Sequence, residues 1–161
     1  MFQLPFPVQD VNAGSGGVDS HDPMGNLPEW NLDDLYTGED APELKGDLEW
    51  LKTECAVFAG DYENKLATLD AASLLSCVLR NEKINQIAGR IMSYAGLRYY
   101  QMTTDASRAK FMSDMQDKIT NFTTPLVFYG LEFNRLDDAH LDALMNANAD
   151  LARYRPVADR M

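Results

Sequence analysis

The residues best able to do chemistry stand in one stretch, GRIMSYAGLRYYQMTTD, from Gly89 to Asp105. Arg98 carries a fork of charge-assisted donors, and Tyr99 beside it carries a phenol. Both fall near the end of a helical pattern, where polar tips reach solvent while stems and rings stay packed. If that end faces a cleft, Arg98 and Tyr99 can contact a peptide's carbonyls or its carboxylate. Tyr94 keeps the seam spacing of Ile87 and Ile91 and reads as core. Gly89 and Gly96 are seven apart, on nearly one helical face, with Ser93 between them. A glycine inside a helix costs ~1 kcal/mol relative to alanine. Two of them predict close packing of another helix or a strap against the backbone at Gly89, Ser93 and Gly96.

Other chemistries lack their residues. His21 stands among Gly, Ser and Asp, and His140 on a short polar helix pattern, so they do not make a metal pair. There is no H-E-x-x-H, which sets two imidazoles and a general-base carboxylate on one helix, and no E-x-x-H of a di-iron bundle. G-x-x-x-x-G-K-[ST], G-x-G-x-x-G after a strand and G-x-S-x-G are also absent. The adjacent Asp137 and Asp138 read as a helix cap. The chain thus carries no catalytic residue and no metal ligand that its motifs identify. Cys55 and Cys77 read as two buried, reduced thiols, and whether they face each other is open.

The charge is lopsided. Net charge is -11, with 15 acids and 3 bases in residues 1–70 against 10 acids and 11 bases in 71–161. That predicts no nucleic-acid binding, which needs a basic face to displace counterions. No run reaches the ~18 to 20 apolar residues of a membrane span. The N-terminus lacks the basic start and apolar run of a secretion signal, so a cytoplasmic location is expected.

The elements that must position Arg98 follow from periodicity. Residues 1–26 predict a mobile tail, followed by a domain over 27–161. In LPEWNLDDLYTGEDAP, the anchors Leu27, Trp30, Leu32, Leu35 and Tyr36 predict a strap laid over that domain. A first helix opens with Asp40 as N-cap, Pro42 in the first turn and Glu43 completing a capping box. Leu44, Leu48, Leu51, Cys55, Phe58 and Tyr62 form its seam at alternating spacings of 4 and 3. A second helix starts near Asp70 or Ser73 and runs to about Met102, its early part packed through Leu74, Leu75, Val78 and Leu79. A third follows Thr104 and Asp105, its seam running from Met112 to Phe133. Pro125 interrupts it at a cost of ~3 kcal/mol or more, predicting a kink or break near 121–125, and the unbroken phase favours a kink. A shorter helix opens at Asp137 or Asp138, and a last segment holds Leu151, Tyr154 and a joint at Pro156. The fold class is all-α, built on long antiparallel helices.

Four stretches together resemble the N-terminal region of one family. They are LPEWNLDDLYTGEDAPEL (27–44), SYAGLRYYQMTTD (93–105), LEFNRLDD (131–138) and DLARYRP (150–156). The family is the oligoendopeptidase F group of zinc metallopeptidases, relatives of thimet oligopeptidase. The resemblance implies an all-helical N-terminal domain forming one wall of a deep cleft. Opposite stands a separate catalytic domain that binds zinc through H-E-x-x-H and cleaves oligopeptides. This chain holds no such motif, so no catalytic or metal residue carries over. The expected partners are the missing catalytic domain and the oligopeptide substrates; zinc is expected in that domain and no cofactor in this chain. The resemblance places the helix of Arg98 and Tyr99 beside the cleft. A stand-alone helical interaction module, binding a partner through its long seams, is the alternative.

Overall fold

The computed structural model describes residues 30–158. The expected tail, Leu27 of the strap and His21 lie outside them. The described residues are helical throughout their ordered elements and contain no strand. Three long helices dominate, α1 (Pro42–Tyr62), α2 (Ala71–Tyr100) and α3 (Ala106–Thr123). At 30 residues, α2 is about 45 Å long and is the element on which the others are laid. Shorter helices follow as α4 (Val127–Phe133), α5 (Asp138–Ala147), α6 (Ala149–Ala152) and α7 (Arg155–Ala158).

Side-chain pairs show that α1 and α2 run antiparallel. Arg80 meets Glu54 and Asp61, and Arg90, ten residues on, meets Asp47. The turn after Tyr100 then sends α3 back along α2, so that Tyr94 meets Phe111 with ring centroids 6.0 Å apart. The seams converge as their spacing requires. Leu44, Leu51, Cys55 and Phe58 of α1 are buried against Leu74, Cys77, Ile84, Ile91 and Tyr94 of α2. Each fully buried large aliphatic side chain contributes roughly 1.5–3 kcal/mol. From α3 only Met115 is fully inside; Met112, Ile119 and Phe122 are half-covered. Leu79, expected in the packing of α2, is 46% exposed.

Several helix starts obey side-chain capping, while α1 and α4 have no side-chain cap. Asp70 accepts from the Ser73 amide at 2.8 Å, Asp105 from Ser107 at 2.8 Å, and Asp137 from His140 at 3.1 Å. The capping box expected at Asp40 is absent. Ala41 is the N-cap, and Asp40 stands one residue outside the helix, where it pairs with Lys45 at 3.1 Å. Pro42 preorganises the first turn instead.

At Pro125 the helix breaks rather than kinks. A 3-10 turn, Thr124–Leu126, separates α3 from α4. The hydroxyls of Thr123 and Thr124 accept the local change, donating to the carbonyls of Ile119 at 2.9 Å and Thr120 at 2.7 Å. Helical phase survives the turn, so Tyr129 and Phe133 still reach the core beside Phe58.

The far end of the bundle is tied by Glu132 of α4. Its carboxylate accepts the amides of Asn64 at 2.6 Å and Leu66 at 3.3 Å, across the turn between α1 and α2. Asn64 adopts φ 63°, the left-handed region that asparagine tolerates better than most residues. Lys65 closes α1 by donating to the carbonyls of Gly60 and Asp61 at 2.9 and 2.8 Å.

Candidate functional site

Arg98 sits where the chain's two ends of interest meet. Residues 30–41 form the strap, which crosses the start of α1 and the last turns of α2. Tyr36 fastens it. Its side chain is 2% exposed, its hydroxyl donates to Asp47 at 2.6 Å, and Arg90 Nε donates to the same hydroxyl at 2.9 Å. Arg90 also pairs directly with Asp47, and its guanidinium lies 4.6 Å from the Tyr36 ring centroid. Burial, and then the bond to Asp47, push the Tyr36 phenol up to about 12, with Arg90 opposing. The Tyr36 ring packs edge-on against Tyr94 at 5.4 Å.

Two looser ties lie further along α2. Arg98 Nε faces Glu39 at 3.4 Å, and Gln101 Nε2 donates to the Trp30 carbonyl at 2.7 Å. Between strap and helix they leave a cleft of about 210 Å³, lined by strap residues including Trp30, Asn31 and Asp33 and by Tyr94, Arg98 and Gln101. Arg98 places one terminal nitrogen 3.3 Å from Gln101 Oε1. Trp30, expected as a buried anchor, is 61% exposed at the cleft's edge. Leu32, Leu35 and Tyr36 carry the strap's packing instead.

Of the residues singled out from sequence, Arg98 reaches this cleft and Tyr99 does not. Tyr99 is rotated about 100° around the helix from Arg98 and rests half-buried against Tyr100, centroids 5.4 Å apart. Close packing at Gly89, Ser93 and Gly96 is not met among the described residues. Gly89 and Ser93 are exposed. A Cβ at Gly89 would meet nothing within 4 Å, and one at Gly96 only Tyr100 of its own helix, at 3.8 Å. Gly96 is buried, but at neither glycine does a described neighbour come close enough to demand a bare backbone.

Tyr94 is what periodicity alone passes over. It belongs to the core, 3% exposed, and also lines the cleft. Burial pushes its phenol up; Arg98 pulls it down, while Glu39 and Asp33 push it further up. The signal was present in the spacing: positions 94, 98 and 101 are separated by 4 and 3 and share a helical face.

Cys55 and Cys77 are free and buried, their thiols pushed by burial to about 11 and about 12. His140 lies exposed in the first turn of α5. Among the described residues no three His, Cys, Asp or Glu side chains group to hold a metal ion. No described helix is long and apolar enough to cross a membrane. Compared with protein-family models, curated proteins and solved structures, the chain matches none.

Proposed function

We propose that this chain is a non-catalytic helical domain of a zinc oligopeptidase of the oligoendopeptidase F kind, forming one wall of the cleft in which short peptides are cleaved. One observation carries the reading: each of the four stretches of the resemblance takes part in a long-range polar tie. Stretch 27–44 meets 93–105 through Gln101 with Trp30 and Arg98 with Glu39. Stretch 131–138 supplies Glu132 to the turn at Asn64, and 150–156 supplies Tyr154, whose hydroxyl donates to Glu82 at 2.7 Å. Residues shared for such purposes define a scaffold rather than a reacting centre, which fits a wall.

The zinc and its H-E-x-x-H belong to the partner domain. There zinc activates water, and this domain orients and encloses the peptide. Two buried reduced thiols suit a cytoplasmic enzyme. Exposed apolar side chains on α1 and α4, Trp50, Val57, Val127 and Leu131, supply surface for the partner domain.

Mixing the chain with a catalytic domain of that family tests the reading. The expected result is a gain in cleavage of a quenched fluorescent peptide that a chelator abolishes. No gain at saturating chain overturns it. The alternative, a free-standing interaction module, draws on Leu79 and Val157, which are 46% and 53% exposed beside grooves near Tyr154. It expects one protein to copurify at fixed stoichiometry with no gain in cleavage.

A further inference from the structure

The Tyr94 hydroxyl is a polar group that the described residues leave unused in this cleft. It makes no hydrogen bond with any described residue, although its side chain is all but buried. No buried side-chain nitrogen or oxygen among the described residues lacks a partner, so this hydroxyl reaches the cleft surface. Arg98 lies one turn along the same face and lines the same cleft. Glu39 meets only its Nε, at 3.4 Å, and Gln101 one terminal nitrogen, at 3.3 Å; the other terminal nitrogen bonds to no described residue. A phenol and a guanidinium therefore present donors to one small volume. Asp33 lines it from the strap side.

Donors on one wall and an acid on the other suit a ligand with both charges. Size narrows it further. A cleft of about 210 Å³ is smaller than the roughly 300–1,000 Å³ of pockets that enclose drug-sized ligands, which suits a ligand of one residue or two. We propose that the cleft binds an α-amino carboxylate, as a free amino acid or a dipeptide. Its carboxylate lies on the Tyr94 hydroxyl and the Arg98 guanidinium, and its ammonium faces Asp33. Arg98 supplies the charge-assisted contact, and Tyr94 fixes where the carboxylate sits. This rests on the reading of the chain as a wall that faces peptides, and names a ligand for a smaller cleft within that wall.

Tyr94→Phe is the clean variant. It removes the unpartnered hydroxyl and keeps the ring contacts to Tyr36 and Phe111, and an unchanged unfolding midpoint checks that the fold is intact. Calorimetric titration of the full chain with leucine, glycyl-leucine, glycyl-leucine amide and N-acetyl-leucine reads the site. Leucine or glycyl-leucine is expected to saturate at one site, and which of them binds tighter identifies the source. The amide and the N-acetyl compound are expected to bind at least tenfold more weakly. Tyr94→Phe is expected to weaken binding about five- to tenfold, and Arg98→Gln more. Binding of neither free ligand overturns the proposal, as does equal binding of the blocked ones or an unaltered Tyr94→Phe. Amino-acid binding without any gain in the mixed cleavage assay would leave the site standing and remove the peptidase reading.

Discussion

The carboxylate of Glu132 holds two amides of a turn that would otherwise face solvent at the mouth of the core, beside fully buried Leu66. Hydrogen bonds to a charged acceptor contribute about 1.5–3 kcal/mol, and partial exposure takes these toward the low end. Glu132→Ala should therefore lower stability by about 1–2 kcal/mol, seen as a urea midpoint shifted down with an unchanged slope. A midpoint equal to wild type would show that water replaces the carboxylate without cost. At this scale the sequence was partly legible. Arg98 stood out as a long cation at a helix end. Tyr94 did not, because its ring obeys the seam and only its hydroxyl departs from it. Tyr99 looked equivalent to Arg98 by proximity, yet one residue along a helix is a rotation of about 100° and points elsewhere. Glu132 had no signal at all, since its partners lie 68 and 66 residues away.

Among the elements, α2 carries two internal glycines that no neighbour requires. Gly89 is exposed, and a Cβ there meets nothing. Gly89→Ala should therefore stabilise the chain by about 0.5–1 kcal/mol through helix propensity alone, raising the thermal midpoint by a few degrees. A lowered midpoint would mean that something does approach this backbone. The same substitution should weaken any gain in the cleavage assay if the bare face of α2 receives the partner domain. The long helices and the caps at Asp70, Asp105 and Asp137 were legible because apolar spacing and an acid before a helical run are local facts. The start of α1 was misread because Asp40 and Ala41 compete for the cap, and the turn from Gly38 to Ala41 decides it. At Pro125 the continued phase suggested a bend; two threonines able to bond back to the preceding turn made a 3-10 break the easier course.

Over the whole molecule, the buried acids with raised pKa values act together. The Cys55 and Cys77 thiols rise from 9.0 to about 11 and about 12, and the Tyr36 phenol from 10.0 to about 12, in each case chiefly by burial. The folded state thus holds these protons more tightly than the unfolded chain. Their contribution is fully present below pH 9 and is lost as pH climbs through the interval up to about 12. The urea midpoint should fall steadily from pH 9 to 11, and a Cys55→Ala, Cys77→Ala chain should lose less over that interval, whatever its starting stability. A flat profile would sink the argument. The all-α class was open to reading at this scale, whereas the use made of the lopsided charge was not. The acids of the first seventy residues entered the sequence reading only as an excess of charge, yet Glu39, Asp47, Glu54 and Asp61 meet Arg98, Arg90 and Arg80 in order along α2.

That ordered set of pairs bears on how the chain is made. A ribosome delivers the acids first, and at the moment α1 is complete none of the three arginines exists. Glu39 waits for a partner 59 residues later, and the Trp30 carbonyl for one 71 residues later. The strap, made before α1, cannot be fastened at Tyr36 until Arg90 has been made, nor tied at Trp30 until Gln101. Any arrest of translation before Arg90 leaves an acidic helix and a loose aromatic arm, and one before Gln101 leaves no closed cleft.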